Sequence, residues 1–95
     1  MLSNLPIDLS KVSKKNIDKE ILRAAVIAEL DAINLYEQMA SMTTNDKMKK
    51  ILLDVAKEEK THVGEFQALL LKEDEEQLEE LAAGKEEVEE ELADL

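Results

Sequence analysis

The chain has 95 residues and a formal net charge of −11, with 37% charged and only 2% aromatic residues. A chain this short builds one small domain with a thin core, so association with further copies is expected. The absence of cysteine excludes a disulfide framework and thiolate metal ligands, no apolar run reaches the roughly 18 residues of a membrane span, and no basic patch marks a nucleic-acid face.

The N-terminal MLSNLPIDLSKVSKK lacks a basic region followed by a long apolar core. No signal peptide is expected, and cytoplasmic residence follows by default. Residues 1–16 read as an irregular arm containing Pro6 and several serines. Asn16 is the expected N-cap of a first helix, with Asp18 and Glu20 in its first turn, where acids suit the helix dipole. That helix is expected from about Ile17 to about Met42.

Thr43, Thr44 and Asn45 form a short break in which Thr44 is suited to cap a second helix. The second helix is expected from about Asn45 to about Leu71. A connection this short makes the two helices antiparallel neighbours, so residues 17–72 read as one helical hairpin. Gly64 lies inside the second helix, where glycine costs about 1 kcal/mol against alanine; close packing against a neighbouring helix is the expected reason for it.

The last segment, residues 73–95, repeats Leu78, Leu81, Val88, Leu92 and Leu95 at helical spacing. One or two short helices docked on a neighbour are expected, with a break or kink at Gly84. The charge is concentrated here. Residues 1–72 hold eleven acids and eleven Lys or Arg, whereas residues 73–95 hold twelve acids and one lysine, Lys85. Such a run is commonly a solvated helix; it also attracts cations, divalent metals included.

The helices' apolar seams carry the functional signal. On the second helix, Met48, Leu52, Val55, Glu59, His62, Phe66 and Leu69 follow the four-three spacing of a buried stripe. Glu59 and His62, the only histidine in the chain, interrupt it. On the first helix the stripe runs Leu22, Val26, Glu29, Ile33, Tyr36, Ala40, and Glu29 is its charged member. Folding the hairpin brings the polar interruptions within roughly one to two turns of the same height at 1.5 Å per residue.

A buried carboxylate must be paired, protonated or bound to a cation. The seams offer no Lys or Arg at that level, because Lys57 and Lys60 point elsewhere on the second helix. A metal ion is the simplest partner, and carboxylate oxygen with imidazole nitrogen suits iron, manganese or zinc rather than copper(I). Di-iron carboxylate sites in four-helix bundles use two Glu-x-x-His pairs and two further glutamates. Glu59-x-x-His62 with Glu29 is half of that set. Two hairpins related by a twofold axis would complete both the site and an all-α, ferritin-like four-helix bundle. Tyr36 reads equally well as a core aromatic and as a neighbour of the site, and Met39, Met42 and Met48 read as core or interface filler.

AELDAINLYEQM (Ala28–Met39) followed by ILLDVAKEEKTHVGEF (Ile51–Phe66) resembles the encapsulated ferritin family. The resemblance spans roughly residues 17–72. It implies that Glu29, Glu59 and His62 are the ligands of a di-iron ferroxidase centre shared between two chains, with Tyr36 beside it. It also implies oxidation of Fe(II) with oxygen, a decameric ring built from five dimers, and iron storage inside an encapsulin shell. Some members carry acids beside the first ligand that attract incoming metal. Asp31 stands at such a position, whereas Ala28 is not acidic. Free-standing members usually end in a short apolar targeting peptide, and this chain ends EEVEEELADL instead. That ending is expected either of the leading part of a shell fusion or of a member without the peptide.

Two other readings use the same residues. In one, zinc or calcium staples a dimeric docking module without redox chemistry. Alternatively, the hairpin is a plain helical adaptor in which Glu29, Glu59 and His62 are replaceable by apolar residues at no loss of stability.

Overall fold

A computed structural model of the chain describes residues 7–95; the start of the arm, Pro6 included, lies outside the described residues. Leu9–Lys11 form one 3₁₀ turn, whose entry Asp8 caps by accepting from the Ser10 N–H. Three α-helices follow: α1 (Ile17–Met42), α2 (Asp46–Glu73) and α3 (Glu75–Leu92). There is no strand among the described residues, and none of the helices is long and apolar enough to cross a membrane.

The helix ends differ in two places from the caps expected of the sequence. Asn16 precedes α1 but its side chain makes no capping bond. Its backbone is already helical (φ −107°, ψ −3°) because the chain enters through a turn closed by the Asn16 N–H on the Ser13 carbonyl. A capping side chain needs the extended backbone of a true cap. At α2 the cap is Asn45 and not Thr44. Asn45 is extended, and its Oδ1 accepts from the N–H groups of Lys47 (3.0 Å) and Met48 (3.1 Å). Thr43 Oγ1 accepts from the Asn45 N–H at 3.1 Å and holds that residue in place.

α1 and α2 form the antiparallel hairpin. Every member of the α1 seam is half-buried or better, and Ile33 and Ala40 are buried. On α2, Leu52, Val55, Glu59, His62 and Phe66 are half-buried, but Met48 and Leu69 at the ends of the expected stripe are exposed. Ala56 and Leu70, one position along, are buried instead. One neighbouring helix covers a single flank of the stripe, and its other flank faces away from α1. Met42, expected as core or interface filler, is also exposed.

α3 departs furthest from expectation. It is one helix that runs straight through Gly84. The leucine, alanine, glutamate and lysine around that glycine are strong helix formers and outweigh its cost of about 1 kcal/mol. α3 is not docked along a neighbour, for it has no buried residue and meets the hairpin only near the end of α2. The molecule measures 46 × 46 × 21 Å, as wide as it is long, because α3 projects away from the hairpin axis. Gly64 is likewise not a packing contact: a Cβ placed there would meet nothing within 4 Å.

Candidate metal centre

Glu29 sits midway along α1, between Val26 and Ile33 on the face turned toward α2. Glu59 and His62 lie three residues apart on α2, a spacing that puts both side chains on one side of a helix. The hairpin brings all three together. His62 Nδ1 lies 3.4 Å from Glu59 Oε2 and 3.6 Å from Glu29 Oε2, and one ligand atom from each residue falls within 4.8 Å of the others.

The electrostatics of this cluster are unbalanced. The side chains of Glu29 and Glu59 are 20% and 18% exposed, and Glu29 Oε2 is buried with no hydrogen-bond partner. A buried acceptor left unsatisfied costs about 1–3 kcal/mol, and more when charged. The nearby lysines do not relieve it. Lys60 reaches across to Glu37 (3.1 Å) on the exposed side of the hairpin, and Lys57 is exposed. An orphaned carboxylate oxygen beside a second carboxylate and an imidazole fits a metal cation, and the donor set suits iron, manganese or zinc. His62 is 43% exposed, so the cluster is open on its outer side. Three protein ligands facing an open side form an incomplete coordination shell, whether for one tetrahedral ion or for a metal pair.

Glu29 and Glu59 share an open cleft of ≈ 350 Å³ with Asp31 and Tyr36, walled by Ala28, Ala32 and Leu35. Both residues expected beside the site therefore border the same cleft. Sequence reasoning missed a second polar group, at the far end of α1. Arg23 Nη2 donates to Asp74 Oδ2 at 2.7 Å, and Asp74 Oδ1 accepts from the Gln77 N–H at 3.1 Å. The available signal was Asp74-x-x-Gln77, the spacing of a helix capping box.

A family model described as EncFtn-like matches residues 5–84. The chain belongs to the EncFtn-like family. Two relatives place it further. It is 60% identical over 92 residues to a ferritin-like-encapsulin shell fusion protein of Pyrococcus furiosus, covering 95% of this chain and 27% of that protein. It is 41% identical over 71 residues to the encapsulin nanocompartment cargo protein EncC of Myxococcus xanthus, covering 72% of this chain and 55% of that protein. The chain thus spans about a quarter to a half of the length of these curated relatives. Its fold matches the crystal structure of the encapsulated ferritin domain from Pyrococcus furiosus with a TM-score of 0.84 and 57% identity, over 98% of this chain and 97% of that one. The all-α class expected from composition and periodicity is observed, and the fold matched is the one that the resemblance implied.

Proposed function

We propose that this EncFtn-like chain is a ferroxidase that oxidises Fe(II) to Fe(III) with dioxygen as electron acceptor. The observation that carries the reading is the convergence of Glu29, Glu59 and His62 around a buried carboxylate oxygen that has no hydrogen-bond partner. Fe(II) is the substrate. Glu29 and Glu59 neutralise its charge, and His62 adds a nitrogen ligand. Metal ligands must be free of protons, so loading releases any proton shared by the imidazole and its two carboxylate neighbours. Fixed, partly desolvated carboxylates also favour the higher charge of Fe(III), which is the direction of the reaction. Tyr36 and Asp31 border the cleft by which metal would reach Glu29 and Glu59.

The chain carries half of a di-iron ligand set, so a second copy supplies the other Glu29 and Glu59-x-x-His62 across a twofold axis, completing a four-helix bundle. We assign residues 1–16 to an arm, 17–72 to the metal-binding hairpin and 73–95 to an acidic helical segment. Its similarity to an encapsulin shell fusion protein and to an encapsulin cargo protein supports work inside an encapsulin nanocompartment with the shell as partner; we further assign the compartment to the cytoplasm and the dimers to a decameric ring.

The test is oxygen consumption after Fe(II) is added to metal-free protein, run beside His62→Ala. Rapid uptake by the parent and background uptake by the variant is the expected result. Background uptake by both, with assembly still dependent on metal, would replace the ferroxidase by a structural metal-binding module.

A further inference from the structure

The bend between α2 and α3 has an unusual origin. It contains no glycine or proline, as none occurs between Gly64 and Gly84. The chain there reads LKEDEEQL, and α2 ends at Glu73 while α3 begins at Glu75, so Asp74 alone forms the joint. Its backbone (φ −137°, ψ 88°) is outside the helical region, whereas every neighbour for a full turn on either side is helical. Local propensity therefore favours one continuous helix from Asp46 to Leu92, since Asp is only a few tenths of a kcal/mol worse than its neighbours in a helix interior. Against that preference stand the local cap of Asp74 at the Gln77 N–H and a contact from outside the local chain, the Arg23 guanidinium.

The side chain of Asp74 is where both act. The residue is 8% exposed, the one buried charged residue among those described. Oδ1 caps α3 at the Gln77 N–H, and Oδ2 receives the Arg23 guanidinium from α1. Lys19, one turn before Arg23 on α1, adds further positive potential at the carboxylate. Beyond this joint α3 has little else to hold it, having no buried residue of its own.

We infer that Arg23 and Asp74 form a latch that selects the bent chain over a straight α2–α3 helix, and so decides where the acid-rich α3 and its stripe of Leu78, Leu81, Val88 and Leu92 point. In the bent state the carboxylate is shared between the cap and the guanidinium. In a continuous helix the Gln77 N–H would bond to the backbone of residue 73, and Asp74 would leave Arg23. The two states exchange one set of satisfied polar groups for another, so a single ion pair between elements is enough to choose between them.

The chain's freedom from cysteine allows a direct test. Spin labels on Glu58→Cys and Glu89→Cys, diluted with unlabelled protein so that only intramolecular distances register, report the bend. A continuous helix would separate those positions by about 46 Å at 1.5 Å per residue. The parent should show one clearly shorter distance. Arg23→Ala and Asp74→Ala should add a population near the straight-helix value with circular dichroism as helical as the parent, and Arg23→Lys should largely restore the bend. An unchanged distance distribution in Arg23→Ala would overturn the latch whatever Asp74→Ala shows, because the local cap would then set the bend alone. Loss of the distance together with loss of helicity would overturn it too, by showing that the pair holds the fold rather than the direction of α3.

Discussion

Glu29 is the residue at which stability and binding conflict. Its buried Oε2 has no hydrogen-bond partner, so in metal-free protein it is a liability. Glu29→Leu should raise metal-free stability by about 1–3 kcal/mol, the usual penalty of an unsatisfied buried acceptor, and should abolish the rise in Tm on adding metal. Urea unfolding in a chelator and thermal melts with added Fe(II) or Zn(II) check the two halves. Asp74 is the opposite case. The Gln77 N–H bond, with Arg23 and Lys19 beside it, holds its pKa below the ordinary 3.8 against the opposing pull of burial. A depressed carboxylate stabilises the fold above its unfolded pKa and loses that contribution as pH falls through its folded value. Asp74→Asn should therefore be less stable than the parent at neutral pH, and the gap should close only well below pH 3.8. Chemical denaturation at a series of pH values measures it.

At the scale of elements, the two hairpin helices were legible because their apolar residues repeat with one clear period and their ends carry turn chemistry. Less legible were the glycines and the caps. Gly64 is open on all sides of its missing Cβ, and its helix pays the entropy of glycine with no packing return in the single chain. Gly64→Ala should stabilise the hairpin by about 1 kcal/mol in chemical denaturation. A neutral or destabilising result accompanied by weaker self-association would place a second copy against that face. Gly84 taught the same lesson, since a glycine among strong helix formers does not break the helix. Asn45 displaced Thr44 as a cap because the cap is chosen by backbone conformation, and two candidates one residue apart look alike in sequence.

At the scale of the molecule, one chain leaves many large apolar residues exposed. Ile21, Leu30, Met48, Ile51 and Leu69 are exposed on the hairpin, and α3 adds Leu78, Leu81, Val88 and Leu92. Exposed apolar surface is a common mark of an interaction site, and a second copy is the occupant proposed here. The ligand cluster is open on its outer side as well, so the same association would bury apolar area and complete the shell. Metal and assembly should therefore be linked. In sedimentation velocity, Fe(II) under nitrogen, or Zn(II), should shift the mass distribution toward even multiples of the chain mass, and Glu59→Ala should remove that shift. Metal that binds without altering the distribution would separate the site from the interface.

By itself the sequence determined the helical class, the hairpin and the level at which Glu29, Glu59 and His62 meet, because a 3.6-residue period and a three-residue turn leave the two seams one way to face each other. Tertiary structure decided the rest. Only three-dimensional packing shows that one flank of α2 is left uncovered, that Glu29 Oε2 has no hydrogen-bond partner, and that an arginine 51 residues before Asp74 reaches its carboxylate. Those outcomes depend on which groups compete for the same neighbour in space, and helical periodicity carries no information about that competition.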